Sequence, residues 1–160
     1  LIDWLRRQPL FHRRHGHLMV HAGVHPNWSI DEMERWGKRL AAMLSGDDWR
    51  ASIKRLYRGS NAEAEALACF TRIRMCRDDG APDYRFKGPP ESAPDGLTPW
   101  YEMSTIPSDE RVLFGHWAAL GHRKMGQLVS LDGGCVWGRE LIAYRLDDGR
   151  SFRQPAAPSA

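Results

Sequence analysis

No apolar run in the 160 residues approaches the length of a membrane-spanning helix, and nothing at the start reads as a signal peptide. Charge of one sign is missing too. Twenty-three Lys and Arg stand against 20 Asp and Glu, a net charge of +3, which is too balanced to argue for a nucleic-acid surface. Neither a nucleic acid nor a membrane is therefore expected among the partners. Cysteine is scarce. Cys69, Cys76 and Cys135 have no paired metal-ligand spacing. Their odd number points to free thiols in a reducing cytoplasm. Internal repeats are absent as well.

What is present suits one globular domain with a real core: 42% of residues are hydrophobic and 27% charged. The chain opens on Leu1 rather than methionine, inside a run over 1–10 that reads as an amphipathic helix. We therefore expect the C-terminal part of a longer domain. Leu18–Val20 reads as a short buried strand whose ladder partners are not obvious within the chain. Ser29-x-x-Glu32 and Ser60-x-x-Glu63 are capping boxes that predict helix starts, and Asp47 or Asp48 is placed to cap a helix between them. The third helix is expected to run to about Cys76. Six prolines between 78 and 107 predict a long, mostly irregular excursion anchored by Tyr84, Phe86, Trp100 and Tyr101. Strands return at Val112–Phe114, Gln127–Leu131 and Leu141–Leu146 as an apparent antiparallel meander. A small-residue tail over 155–160 is expected to fray. The fold class is α/β or α+β, a layered domain.

Two junctions carry the chemistry. One short apolar strand runs into His21–Ala22–Gly23 and another into Gly115–His116–Trp117. Strand ends are where an α/β sheet presents its ligands. Small residues beside each histidine would leave room for a metal or a phosphate, and neutral imidazole is a good ligand for divalent metals. A lone histidine at a strand end is more often a structural hydrogen-bonder, and spacing alone leaves both readings open.

The block Met19–Val20–His21–Ala22–Gly23–Val24–His25–Pro26–Asn27–Trp28 resembles the HAG block of the calcineurin-like metallophosphoesterases, in their bacterial diadenosine tetraphosphatase branch. Phe70–Thr71–Arg72–Ile73–Arg74–Met75–Cys76 is similar to that branch's F-T-R-x-R segment. Phe114–Gly115–His116–Trp117–Ala118–Ala119–Leu120 resembles its F-G-H-W-A-x-L block, and Leu131–Asp132–Gly133–Gly134–Cys135–Val136–Trp137–Gly138 its L-D-[TG]-G-C-x-W-G block. Trp4–Leu5–Arg6–Arg7–Gln8–Pro9–Leu10 is similar as well, so five blocks match in order across nearly the whole chain.

The resemblance implies a hydrolase that splits a small dinucleoside polyphosphate, diadenosine tetraphosphate, symmetrically into two ADP, with two divalent ions per intact site, Mn or Co. It implies a two-sheet sandwich flanked by helices, of which this chain is the C-terminal portion. It assigns His21 and His116 to the second metal. The other ligands lie in blocks of the type GD-x-HG, GD-x-x-x-RG and GNH-D/E, none of which occurs in these 160 residues. No catalytic residue is therefore assigned to this chain, and on its own it is expected to be inactive.

Arg72 and Arg74 are candidates for binding phosphate, because a guanidinium matches it bidentately. The alternatives are a solvated helix face or an ion pair. Two positions apart, the two do not share one helix face, so only one is expected at the site. His25 is placed beside the ligands rather than among them. Asp132 could orient a ligand or simply serve its Asp-Gly-Gly turn. Trp28 and Tyr57 could stack on adenine or pack in a core or interface. His12, His15 and His17 are read as an exposed hairpin, His122–Lys124 as a hairpin tip and Trp137 as core. Departures from the pattern, above all the short link between Tyr57 and Phe70, put in doubt the shape of the nucleotide pocket and the preference for a dinucleoside, and two other readings stay open. One is a phosphatase of another substrate class; the other is a non-catalytic nucleotide-binding or interaction module.

Overall fold

The computed structural model describes residues 1–107 and 109–158. Its elements are α1 (Ile2–Leu5), β1 (Phe11–Arg14), β2 (His17–Val20), α2 (Ile30–Ser45), α3 (Trp49–Arg58), α4 (Ala62–Arg72), β3 (Met75–Arg77), β4 (Pro82–Asp83), β5 (Leu97–Pro99) and α5 (Trp100–Met103). There follow β6 (Arg111–Phe114), β7 (Arg123–Met125), β8 (Leu128–Ser130), β9 (Glu140–Tyr144) and β10 (Ser151–Pro155). The fold is mixed α/β. No helix among the described residues is long and apolar enough to cross a membrane.

The central sheet has the order β1-β2-β6-β8-β7. His15 (φ 52°) and Gly16 (φ 68°) close the β1–β2 hairpin, because two successive left-handed residues match the twist of antiparallel strands. The buried strand at Leu18–Val20 thus finds both partners within the chain: β1 antiparallel on one side, β6 parallel on the other. The expected meander is corrected here, since β6 runs parallel to both β2 and β8. After Phe114 the chain crosses the end of the sheet, descends as β7, and returns as β8 between β6 and β7. Alternation alone could not reveal that one strand position is skipped. The turn of this hairpin is Gly126–Gln127 rather than His122–Lys124.

Phe11 stacks on Phe70 at 5.9 Å and Trp100 meets Phe114 edge-on at 5.3 Å, so α4 and the excursion cover one face of the sheet. Leu18, Met33, Leu40, Phe70, Val112 and Trp100 lie wholly within this core. On the other face, the hairpin of β9 and β10 is held by few contacts. Arg111 donates to the Tyr144 hydroxyl (3.0 Å), Lys124 donates to the Gly149 carbonyl (2.6 Å), and His122 bridges the Ser130 carbonyl (2.6 Å) and the Ser151 hydroxyl (2.9 Å).

The helices form where caps allow. Ser29 and Glu32 make the expected capping box on α2. On α4 the cap is Asn61, whose side chain accepts from Ala64 N at 2.9 Å, so Ser60 is not used. This helix stops at Arg72 rather than near Cys76. Ile73 is extended, and Met75 and Cys76 gain ladder partners in β4 and β5, so sheet pairing overrides the helical pattern. At the start of the chain only Ile2–Leu5 is helical, and Leu1, Ile2, Trp4 and Leu5 stay exposed. The excursion over 78–107 holds short elements only. Trp100 sinks fully into the core, with Tyr84, Phe86 and Tyr101 packed against it. In the tail, Pro155 pairs with Glu140, while residues 159 and 160 lie outside the described residues. All three cysteines are free.

Candidate functional site

Three adjacent parallel strands end together. The register pairs Val20 with Phe114 and Phe114 with Ser130, so β2, β6 and β8 present their C-terminal ends side by side. His21 follows the first, His116 the second and Asp132 the third. The backbone locks the first two: Gly115 N donates to the His21 carbonyl at 2.9 Å. The imidazole rings lie 5.1 Å apart, centroid to centroid. Arg74, two residues beyond α4, donates to the His116 carbonyl at 3.1 Å. His21, Arg74, His116 and Asp132 line one cleft of about 530 Å³.

His116 has a left-handed backbone, φ 63°, which a residue with a Cβ adopts at a cost. Its Nε2 is buried and has no hydrogen-bond partner among the described residues. A strained backbone and a buried, unpartnered ring nitrogen on a residue that lines a cleft are the pattern of a residue held for binding rather than for stability. Burial lowers the His116 pKa from 6.5 to about 4, helped by the charge of Arg74 and by His21, while Asp132 pulls it back up. Burial also lowers that of His21, although this residue is open to solvent on one side; Arg74 adds to the shift and Asp132 opposes it. Both imidazoles are therefore neutral at ordinary pH, the form that ligates metals.

The room around the histidines has a different origin from the one expected. A Cβ on Gly23 would come within 2.6 Å of Trp100 and 2.7 Å of Ile73, so this glycine serves the packing of the core behind His21. Asp132 serves its turn and also lines the cleft. Its Oδ1 accepts from Gly134 N at 3.0 Å, and its carboxylate faces the histidines closely enough to raise their pKa values.

The other candidates lie elsewhere. Arg72 is exposed, with its guanidinium over Tyr84 (5.3 Å) and Tyr57 (5.9 Å), and does not line the cleft. His25 stacks on Trp28 at 5.6 Å and accepts from Asn27 N; it too is away from the cleft. Trp28 is packed among Trp36 and Phe70, while Tyr57 is exposed.

The cleft also holds residues that the sequence did not place there: Lys87, Arg139, Val136 and Trp137. Trp137, expected in the core, is 74% exposed. Its flanking glycines, Gly134 and Gly138, are both left-handed and bend the chain into a surface turn. That glycine pair was the available signal. Lys87 arrives by the excursion, where Trp117 Nε1 donates to the Gly88 carbonyl at 2.9 Å and hangs this loop on the residue after His116.

A ring separation of 5.1 Å is within the span of two imidazoles sharing one ion at the roughly 2.0–2.1 Å usual for imidazole–metal bonds. Two imidazoles do not complete a site, however. Among the described residues no group of three or more His, Cys, Asp or Glu is placed to hold a metal ion.

No protein-family model matches the chain. Curated proteins do. The chain is 39% identical to the symmetrical bis(5'-nucleosyl)-tetraphosphatase of Aromatoleum aromaticum, over 96% of this chain and 60% of that protein. It is 36% identical to the one of Methylobacillus flagellatus, over 99% and 62%, and 39% identical to the one of Burkholderia thailandensis, over 98% and 60%. The chain thus spans about three fifths of the length of these relatives. A crystal structure provisionally described as a diadenosine tetraphosphatase shares the fold, with a TM-score of 0.55 and 21% identity over 91% of this chain and 49% of that one. Over nearly its whole length, the chain is a relative of the symmetrical bis(5'-nucleosyl)-tetraphosphatases.

Proposed function

We propose that these 160 residues carry one half of the active site of a metal-dependent hydrolase that splits diadenosine tetraphosphate symmetrically into two ADP. The observation that carries this reading is the convergence of His21, His116, Asp132 and Arg74 at the ends of three parallel strands, in a chain related to proteins named for that activity. His21 and His116 would hold one divalent ion through neutral nitrogens, with the remaining ligands supplied by other residues. The chemistry supplied by a pair of such ions, Mn or Co, is neutralisation of phosphate charge and activation of the attacking water.

The chain's own residues then do three things. Asp132 balances positive charge beside the two histidines. Arg74, anchored on the His116 carbonyl, offers the rest of its guanidinium to a phosphate oxygen. Lys87 and Arg139 add two further cations to the cleft, which therefore suits a polyanion. Arg72 is proposed to act through Tyr57 and Tyr84 rather than on phosphate.

Hydrolysis of diadenosine tetraphosphate with added Mn or Co tests the reading, on this chain and on the chain joined to the residues that would complete its relatives' length. ADP from the longer protein alone, abolished by His21→Ala and by His116→Ala, is the expected result. A longer protein that is inert, or indifferent to both substitutions, would favour a non-catalytic nucleotide-binding module.

A further inference from the structure

We propose that Trp137 is a stacking platform for one nucleobase of the ligand, in the cleft it shares with the phosphate-binding cations Lys87, Arg139 and Arg74 and with the two histidines. The inference rests on reading the cleft as a polyphosphate site and adds to it the means of recognising a nucleoside.

Trp137 lines the same cleft as His21 and His116. Leaving a tryptophan 74% exposed forgoes the burial that Trp100 and Trp117 enjoy in the same chain. The exposure is built in. Gly134 (φ 72°) and Gly138 (φ 79°) bracket the 3₁₀ turn Cys135–Trp137, and the turn is closed by Trp137 N to the Gly134 carbonyl (2.9 Å) and Gly138 N to the Cys135 carbonyl (3.0 Å). Asp132 clamps its base through Gly134 N. The indole is therefore presented by the same short segment that faces the histidines.

Its ring face is also unoccupied. Trp36 and Trp49 carry arginine guanidinium groups, and Trp28 and Trp100 carry other aromatic rings. No such partner covers Trp137 among the described residues. Arg139, its near neighbour, is turned away: its stem lies against Gly134 and its Nη1 donates to the Ala118 carbonyl. Val136, Ala118 and Ala119 extend the apolar surface around the indole. A bare aromatic face flanked by small apolar residues, beside three cations, matches a flat base joined to a phosphate chain. Stacking of this kind does not depend on reading base edges.

The test is titration calorimetry of this chain with two probes, ADP and inorganic pyrophosphate, which share the diphosphate and differ in the nucleoside. The wild type should bind ADP about tenfold more tightly than pyrophosphate, a modest yield for one stacked base. Trp137→Ala should remove that advantage and leave pyrophosphate unchanged; Trp137→Phe should restore most of it. Because the side chain is exposed, both variants should keep the wild-type circular dichroism. Arg74→Ala should weaken both probes alike. Equal binding of ADP and pyrophosphate by the wild type overturns the stacking platform while leaving the phosphate site intact. So does a Trp137→Ala variant that weakens both probes equally. Binding of neither probe refutes the polyphosphate reading, and the platform falls with it.

Discussion

His116 is held in a conformation that its own backbone disfavours, and this can be measured. The left-handed region costs a residue with a Cβ about 1–2 kcal/mol. Comparing His116→Ala with His116→Gly removes the ring in both cases and isolates that cost. Glycine gives back about 0.4–1 kcal/mol through the greater freedom of its unfolded chain. The glycine variant should therefore remain the more stable by about 0.5–1 kcal/mol, or about 2 °C in melting temperature for a chain of this size. Normally an alanine stabilises relative to glycine, so the sign is diagnostic. Thermal melts with and without Co²⁺ extend the test. At about ten times its dissociation constant, the ion should stabilise the wild type by about 1.4 kcal/mol and neither variant. An alanine variant that melts at or above the glycine variant refutes the strain argument. A Co²⁺-dependent shift that survives in both variants refutes the ligand role.

Three other outcomes follow from the packing and the charges. Gly23→Ala should destabilise by about 1–3 kcal/mol in urea titration, because the new Cβ would collide with Trp100 and Ile73; an unchanged midpoint would show that the core can yield. Asp83 is buried and accepts from the backbone N–H groups of Phe86 and Arg85, which hold its carboxyl below its ordinary 3.8 despite the opposing effect of burial. A depressed carboxylate contributes stability that is present above that ordinary value and lost as pH falls through its folded value. Wild type should therefore lose more stability than Asp83→Asn between about pH 5 and about pH 3, and equal losses would contradict it. The 160-residue chain alone should release no ADP above a His21→Ala control, measured by chromatography.

The two histidines were legible because each stands where an apolar strand meets small residues. Their adjacency was not. It depends on parallel pairing of β2 with β6, and parallel strands close through long crossovers that leave no local pattern. Asp132 was visible as turn chemistry, and its place beside the imidazoles emerged only once β8 was inserted next to β6. Arg72 and Arg74 looked equivalent in sequence. The helix ends between them, which sends Arg72 outward to two tyrosines and Arg74 inward to His116. Trp137 was misread because aromatic content suggests burial, whereas the left-handed glycines on both sides decide where it points.

The light attachment of the β9–β10 hairpin has a mechanical consequence. Among the described residues its contacts with the main sheet run through side chains, namely hydrogen bonds from Arg111, His122 and Lys124 and the packing of Tyr144 against His17 and Lys124, rather than a backbone ladder. Elements tied in this way open locally at lower free energy than ladder-paired strands. The segment carrying Asp132 and Trp137 links β8 to this hairpin, while His21 and His116 directly follow strands paired on both sides. The cleft thus has one stiff wall and one more compliant wall: the imidazole pair keeps its spacing, Leu131 N to the Phe114 carbonyl (2.7 Å) ties the start of the Asp132 turn to β6, and the turn's far end, with the indole, is joined to the hairpin. Backbone amides over 140–155 should exchange with deuterium well before those of β2 and β6.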